Sequence, residues 1–467
     1  MSSTLPIPAD LWDKAPADVQ AAVLALVRSL ERRIADLEAR LQRDSSNSSK
    51  PPSSEPLHVE RQPPRPRSGR RRGGQPGHER HTRALVPPER LAGLVECRPG
   101  GCSRCGHHLH GDDPEPLRHQ VAEVPEIRPD VIEYRLHRLT CRRCGVTTRG
   151  RLPAGVPRGG FGPRLQSLLS VLSGVYRLSK RLIRRLAGDL LGLEISTGSV
   201  AKLQRRTAEA LAQPMDQIVA AVRSATAVHV DETGWREEGA KAWLWVAAAS
   251  GATAFQVHRS RGAKALESLL GEGPGERQVI ISDRFPTYAR APNRQLCWAH
   301  LRRDFMAMID RAAGGEVIGR RLLDQSRWIY TWWGRLGGGS LSRSTLRSYV
   351  AGLRRSVGHL VREGSACPCA WTAKVCRSLL EVEPHLWTFA AVEGVAPDNN
   401  AAERALRHGV IWRKLSLGTA SAMGSRFVER MLSVVETCRQ RGRDVLAYLT
   451  ACVRSALEGA TAPSPLA

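Results

Sequence analysis

The chain has 467 residues with 70 Lys+Arg against 45 Asp+Glu, a formal charge of +25 and a sequence pI near 10.6. At about 150 residues per domain this length implies about three domains, and 42% hydrophobic residues suffice for a real core, which excludes a disordered tail protein. Arg supplies 62 of the 70 cations, and an excess of this size points to a polyanionic partner, above all nucleic acid.

No run reaches about 18 consecutive apolar residues, so a membrane span is excluded. Asp10 and Asp13 precede the first apolar run, without a basic region or a small-residue cleavage site, so no secretory leader is expected. Eleven Cys is an odd number, and four of them form two Cys-x-x-Cys pairs. A reducing cytoplasm and one metal site suit this usage better than a disulfide framework.

In chain order, Val23, Val27, Leu30, Ile34, Leu37 and Leu41 step by 4, 3, 4, 3, 4. This is an a/d seam, read either as a short coiled coil over 1–45 or as an amphipathic helix on its own chain. Residues 46–95 are Ser-, Pro- and Arg-rich with almost no apolar content, a flexible basic linker. From Arg61 to Arg90 nine Arg face only Glu79 and Glu89; Arg70, Arg71 and Arg72 are its densest run and candidates for phosphate neutralisation.

Within 96–152, Cys102-x2-Cys105 and Cys141-x2-Cys144 each precede a Gly, at Gly106 and Gly145. Four sulfurs with no open position read as a structural zinc ribbon. Ile132, Tyr134 and Leu136 alternate with charged residues between the pairs, as a half-buried strand would. Over 158–215, Leu165, Leu168, Leu169 and Leu172 define one helix, Ser179 to Leu190 a second, and a turn at Gly192 leads to a third that Ser199 can cap. The last helix carries Lys202, Arg205 and Arg206. Helix, turn and basic helix read as a helix-turn-helix DNA binder, with an ordinary bundle as the alternative.

At residue 226 the pattern turns to strands. TAVHVDETGW is a β-branched run ending at Asp231; AWLWVAAA and TAFQVHRS follow, then the helix AKALESLLG and the apolar strand RQVIISDRF ending at Asp283. A three-strand meander, a helix and a further strand is the order of the first half of a ribonuclease-H-like sheet, here over 222–304. Carboxylates at the ends of apolar strands are placed where a core would not put them unless they bind something. Glu232 should point to the opposite face from Asp231.

Residues 305–392 are helical by pattern, with five of the eleven Trp. In PDNNAAERALRHGVIWRK, Glu403, Arg407 and Lys414 share a helix face; Asn400 to Glu403 is also a capping-box spacing, so ligand and cap are both open from spacing. Residues 393–445 hold this helix and an amphipathic segment, and 446–467 a last helix whose final residues look untethered. Cys297-x2-His300 reads as support for the site, with His300 near a scissile phosphate and Cys297 alternatively in the core. Asp304 ranks below Glu403 as a third acid.

DETGW, WLWV, SDRFPTY, CWAHLRRDF, DNNAAERALR and VERMLSVVETCRQRGRDVLAYL together resemble the bacterial insertion-sequence transposases of the IS66 family. The likeness runs upstream through the four-cysteine element, GQPGH, SSNSSKPPSS and the leucine-rich helix. The resemblance implies a multidomain α+β protein whose ribonuclease-H-like core is interrupted by an all-helical insertion. By position, Asp231, Asp283 and Glu403 match the DDE triad, holding two Mg²⁺ or Mn²⁺. Metal-dependent 3′-end cleavage and strand transfer on double-stranded DNA, at element ends and target, would follow. Arg404, Arg407, Arg413 and Lys414 would contact phosphates beside the metals. The expected partners are a second copy or higher oligomer on DNA and small accessory proteins of the same element, in the cytoplasm. Two other readings compete: a zinc and helix-turn-helix regulator without catalysis, and a junction nuclease of the same fold.

Overall fold

The computed structural model describes residues 12–41 and 84–467 except 275, 277, 312 and 313; Arg70, Arg71 and Arg72 lie outside the described residues. The chain divides into two compact units, Leu57–Val131 and the combination of Met1–Pro56 with Ile132–Ala467. Among its described residues the smaller unit has neither strand nor α-helix. It is held by local polar bonds, such as the amide of Gln120 exchanging two 2.8 Å hydrogen bonds with the backbone of Val86.

The larger unit includes helix α1 (Ala17–Leu41), which leaves Leu30, Ile34, Leu37 and Leu41 of the heptad seam exposed. The short hairpin β1 (Arg138–Thr140) and β2 (Thr147–Arg149) frames Cys141 and Cys144. The alternation at Ile132, Tyr134 and Leu136 does not become a strand: all three are exposed, since a period-2 pattern without a ladder partner gains neither hydrogen bonds nor burial.

Three helices follow: α2 (Pro163–Gly174), α3 (Lys180–Leu191) and α4 (Thr197–Ala210). Leu169, Ile183, Ala187, Ile195, Val200 and Leu203 form their shared core. Ser179 caps α3, and Gly192 ends it in the left-handed conformation (φ 62°). The cap of α4 is Ser196, whose hydroxyl accepts from the Ser199 amide, so the expected Ser199 cap is displaced by three residues.

After α5 (Ala212–Ser224) come β3 (Ala227–Glu237), β4 (Ala240–Ala249), β5 (Ala252–His258), α6 (Ala263–Leu270), β6 (Val279–Ser282) and β7 (Arg294–Leu296). The sheet order is β5-β4-β3-β6-β7. β3, β4 and β5 form an antiparallel meander, while β6 runs parallel to β3 and β7 parallel to β6. The β3–β4 turn uses Glu238 and Gly239 at φ 55° and 76°, the pair of positive φ angles that a twisted two-residue hairpin requires.

The helical segment comprises α7 (Trp298–Ile309), α8 (Gly315–Gly337), α9 (Arg343–Ser365), α10 (Ala370–Glu381) and the single turn α11 (Thr388–Ala391). It packs its own apolar core against Val279, Ile281 and Leu296. The chain then returns as α12 (Asn400–Ser416), α13 (Ala422–Gln440) and α14 (Val445–Glu458). α12 lies over the meander on Trp235, Leu244 and Val246; a Cβ on Gly409 would stand 2.2 Å from the Leu244 methyl, so only glycine admits this approach. The opposite face is covered by α5, α6, α13 and α14.

α13 also closes the sheet's open edge. Thr437, Ser433 and Glu429 accept from the amides of Thr253, Phe255 and Val257 at 3.1, 2.8 and 2.7 Å. Four residues of helix advance about 6 Å and two of strand about 6.6 Å, so a polar stripe at i, i+4, i+8 can satisfy alternate edge amides. The final residues, expected to be untethered, are held: Arg441 and Arg443 donate to Leu466 and Ser464, and Tyr448 to Pro463.

Candidate active site

The site forms where the parallel part of the sheet ends. β3 pairs with β6 only from Ala227 to His229, the last pair being His229 with Ile281. Asp231 and Asp283 each stand two residues beyond that pair. Asp231 is therefore not at the end of its own strand, as the sequence suggests; β3 continues six residues further as the hairpin arm. The end that matters is that of its parallel neighbour, and this is set by pairing rather than by the apolar run.

Alternation fixes the faces. Asp231 is paired with Val246, under α12, and Glu232 with Trp245, in the opposite core. Glu232 thus takes the opposite face, and it is nonetheless part of the electrostatics. Its carboxylate is bound by Arg261 at 2.9 Å and by the Tyr288 hydroxyl, and burial raises its pKa to about 7. Asp231 is pushed well above the usual carboxylate range, first by burial, then by the charges of Glu232, Asp283 and Glu403. Its Oδ1 accepts from the Glu232 amide at 2.8 Å; Asp283 accepts from the Phe285 amide at 2.8 Å.

Glu403 arrives from α12, and Asn399 determines where that helix starts. Asn399 is 1% exposed. Its Nδ2 donates to the Val230 carbonyl at 2.8 Å, its Oδ1 lies 3.3 Å from His229 Nδ1, and its amide donates to Cys297 Sγ at 3.1 Å. One residue therefore joins β3, the end of β7 and the first turn of α12. The N-cap residue Asn399 makes no side-chain cap bond, the Asn400 amide donates instead to Asp398 Oδ1 at 3.1 Å, and Glu403 lies beside His300 and Arg303, so the capping-box reading does not describe it.

His300 stands in the first turn of α7, following Cys297. Its Nδ1 lies 3.5 Å from Glu403 Oε1, and Arg303 lies 3.8 Å from Oε2. Asp304 is buried and paired with Arg284, which removes it from competition as the third acid. The structure thus brings Asp231, Asp283 and Glu403 into one electrostatic group, with His300 beside Glu403. Sequence reasoning missed Asn399, Arg303, Tyr288 and Arg261. The first three lie within the DNNAAERALR, CWAHLRRDF and SDRFPTY motifs, which were their available signal.

Basic residues flank this centre. Arg404, Arg407 and Lys414 are exposed on α12. Arg413 instead donates to Thr233 Oγ1 and the Gly234 carbonyl, both at 3.0 Å, so it braces β3. A groove of about 480 Å³ runs beside it, lined by Trp235, Arg236, Lys241, Trp243 and Lys414. Further off, Lys202 and Arg205 are exposed on α4 and Arg206 is half-buried. Cys102 and Cys141 each open a tight turn in their own unit, with Gly106 and Gly145 donating to their carbonyls at 2.8 and 2.9 Å. Backbone hydrogen bonds from Arg104 and Cys105, and from Cys144 and Arg143, lower these two thiols.

The chain thus combines a mixed five-stranded sheet, a cluster of carboxylates beyond its β3–β6 pairing and a helical segment between β7 and α12. The family model described as "Transposase IS66 family" matches residues 160–426, more than half of the chain, and the chain belongs to that family. A second model, a family of unknown function (DUF6444), matches residues 4–84. Two relatives come from Sinorhizobium fredii (strain NBRC 101917 / NGR234). Uncharacterized protein y4qI is 26% identical over 382 residues, 73% of this chain and 69% of the relative. Uncharacterized protein y4hP is 26% identical over 398 residues, 75% and 69% respectively. No helix among the described residues is long and apolar enough to cross a membrane.

Proposed function

We propose that the chain is a DDE transposase with a ribonuclease-H-like core, cleaving the 3′ ends of its element and joining them to target DNA. The observation that carries this reading is the placement of Asp231 and Asp283, each two residues beyond the last β3–β6 pair, with Glu403 brought toward them on α12, whose first residues Asn399 ties to β3. The direction in which the Asp231 pKa is shifted agrees with it. Uncompensated carboxylates crowded at a strand end are costly, and hard divalent cations relieve that cost with the oxygen ligands they prefer. Asp231, Asp283 and Glu403 would hold magnesium or manganese. Bound there, the metal supplies Lewis-acid activation and charge neutralisation for in-line attack on a phosphodiester.

The chain's own groups do the rest. Asn399 sets the position of Glu403 relative to β3. Arg303 and His300 face Glu403 and offer hydrogen-bond donors to a phosphate lying across it. Arg404, Arg407 and Lys414 offer cations along the same edge, and the groove with Trp235 and Trp243 continues it. The exposed basic faces of α3 and α4 suit element-end DNA, in the manner of a helix-turn-helix. The exposed seam of α1 suits pairing with a second copy as a coiled coil, and two ends need at least two protomers. Cys102 with Cys105 in one unit, and Cys141 with Cys144 in the other, are the pairs that offer thiolates to structural zinc, and the lowered thiols of Cys102 and Cys141 support that use.

The test is strand transfer by the purified chain on labelled terminal sequences with Mg²⁺, beside Asp231→Asn and Glu403→Gln. Loss of both cleavage and joining in either variant is expected; joining that survives either change overturns the assignment.

A further inference from the structure

Magnesium chemistry leaves one cluster unexplained. Cys297, His300 and Glu403 each present a ligand atom, and the three atoms lie within 4.8 Å of one another. His300 Nδ1 and Glu403 Oε1 are both sealed from solvent, and neither has a hydrogen-bond partner. They stand 3.5 Å apart. Buried polar atoms without partners are rare in folded proteins and ask for an ion, a water or a functional reason.

The geometry is that of two ligands of one ion. Tetrahedral zinc with bonds near 2.0–2.1 Å to nitrogen and oxygen sets its ligands about 3.4 Å apart, close to the separation present. Bringing the sulfur to its own bonding distance needs movement on the order of 1 Å. The scaffold is ordered around it. The Cys297 amide is bonded to Ser282 at 2.8 Å, and Sγ accepts the Asn399 amide at 3.1 Å, an outer contact of the kind that orients and tunes metal-bound thiolates. Cys-x2-His at the start of α7 and a carboxylate from the facing helix complete the set.

We propose that Cys297, His300 and Glu403 form a binding site for a single borderline or soft divalent cation, zinc above all, different in ligand chemistry from the all-oxygen magnesium set with which it shares Glu403. Sulfur and imidazole select against magnesium and for zinc or cobalt. Three protein ligands leave a fourth position open to water or a phosphate oxygen. Binding itself is independent of the transposase reading; its consequence rests on that reading. An ion held here takes the Glu403 carboxylate away from Asp231 and Asp283, so zinc acts as an antagonist of magnesium-dependent cleavage.

The experiment uses the full-length chain. Zinc equivalents are counted by competition with a chromophoric chelator, and cobalt spectra are recorded for wild type, Cys297→Ser, His300→Gln and Glu403→Gln. Any ion on Cys102, Cys105, Cys141 and Cys144 is common to all four chains, so the difference isolates this site. Wild type should bind one equivalent more than each variant, with a thiolate-to-cobalt band that Cys297→Ser loses. Millimolar magnesium should leave that equivalent in place. Equal stoichiometry in wild type and the variants overturns the proposal, and leaves His300 and Glu403 as a 3.5 Å side-chain contact without an ion. His300 and Glu403 are 15% and 27% exposed in their side chains, so their variants keep the readout if Cys297→Ser fails to fold. Absent cleavage with zinc binding intact would count against the transposase reading alone; cleavage with no zinc difference would count against this site alone.

Discussion

Asn399→Asp is the sharpest perturbation of this architecture, because it exchanges one heavy atom and almost no volume. The wild-type amide donates to the Val230 carbonyl and presents its oxygen to His229, which burial keeps neutral by lowering its pKa to about 4. An aspartate keeps the oxygen and loses the donor, so it sets an acceptor against the Val230 carbonyl. It also adds a carboxylate to a neighbourhood that already holds Asp231, Glu232, Asp283, Asp398 and Glu403. A buried group left without its partner costs about 1–3 kcal/mol, more when a charge is involved. Asn399→Ala loses both side-chain bonds but adds no charge, so about 2–5 kcal/mol is expected for it. Asn399→Asp should cost at least as much at pH 8. Urea titration of the full-length chain by tryptophan fluorescence measures both, and strand transfer reads the displacement of Glu403. If Asn399→Asp were within 0.5 kcal/mol (about the noise of a surface substitution) of wild type and still joined ends, the reasoning about Asn399 would be wrong.

Asp231→Asn should abolish cleavage and raise the melting temperature, since it removes the carboxylate that burial and three neighbours oppose; scanning fluorimetry without divalent metal reads the sign. Ser433→Ala orphans the Phe255 amide on the sheet edge and should cost about 1–3 kcal/mol in urea. Burial raises the Glu429 pKa from 4.5 to about 7, so the folded state holds this proton more tightly than the unfolded one. The stability that this provides is complete below pH 4.5 and is lost as pH rises towards 7, on the order of 3 kcal/mol in all. Glu429→Gln should lack that slope, so the difference between the two chains' pH–stability curves isolates it. Replacing Lys202 and Arg205 together by Ala should lower the salt slope of DNA binding by about 2 if each meets a phosphate, as measured by fluorescence anisotropy from 50 to 200 mM salt.

What the sequence by itself determined was local. The β-branched and apolar runs specify the meander, α6 and β6, because period and apolar content decide burial before any partner is known. Ser179 and Gly192 delimit α3 because caps and left-handed turns are chemistry within a few residues. The three acids were legible through their motifs; from spacing, Glu403 was equally a cap. Only the tertiary structure decided which carboxylates share a field. Asp231 lies mid-strand, and it stands clear of the parallel ladder because β6 stops pairing at His229. Glu232 belongs to the other face yet raises its neighbour, and Asp304 is withdrawn by Arg284. The motif around Asn399 marks the stretch but not its role as a hub, since its partners at Val230 and Cys297 lie more than 100 residues away. The same holds for α13, whose Glu429, Ser433 and Thr437 look like ordinary helix polarity until β5 lies beside them. Local propensity chooses elements, but hydrogen-bond satisfaction and desolvation act between atoms that only folding brings together.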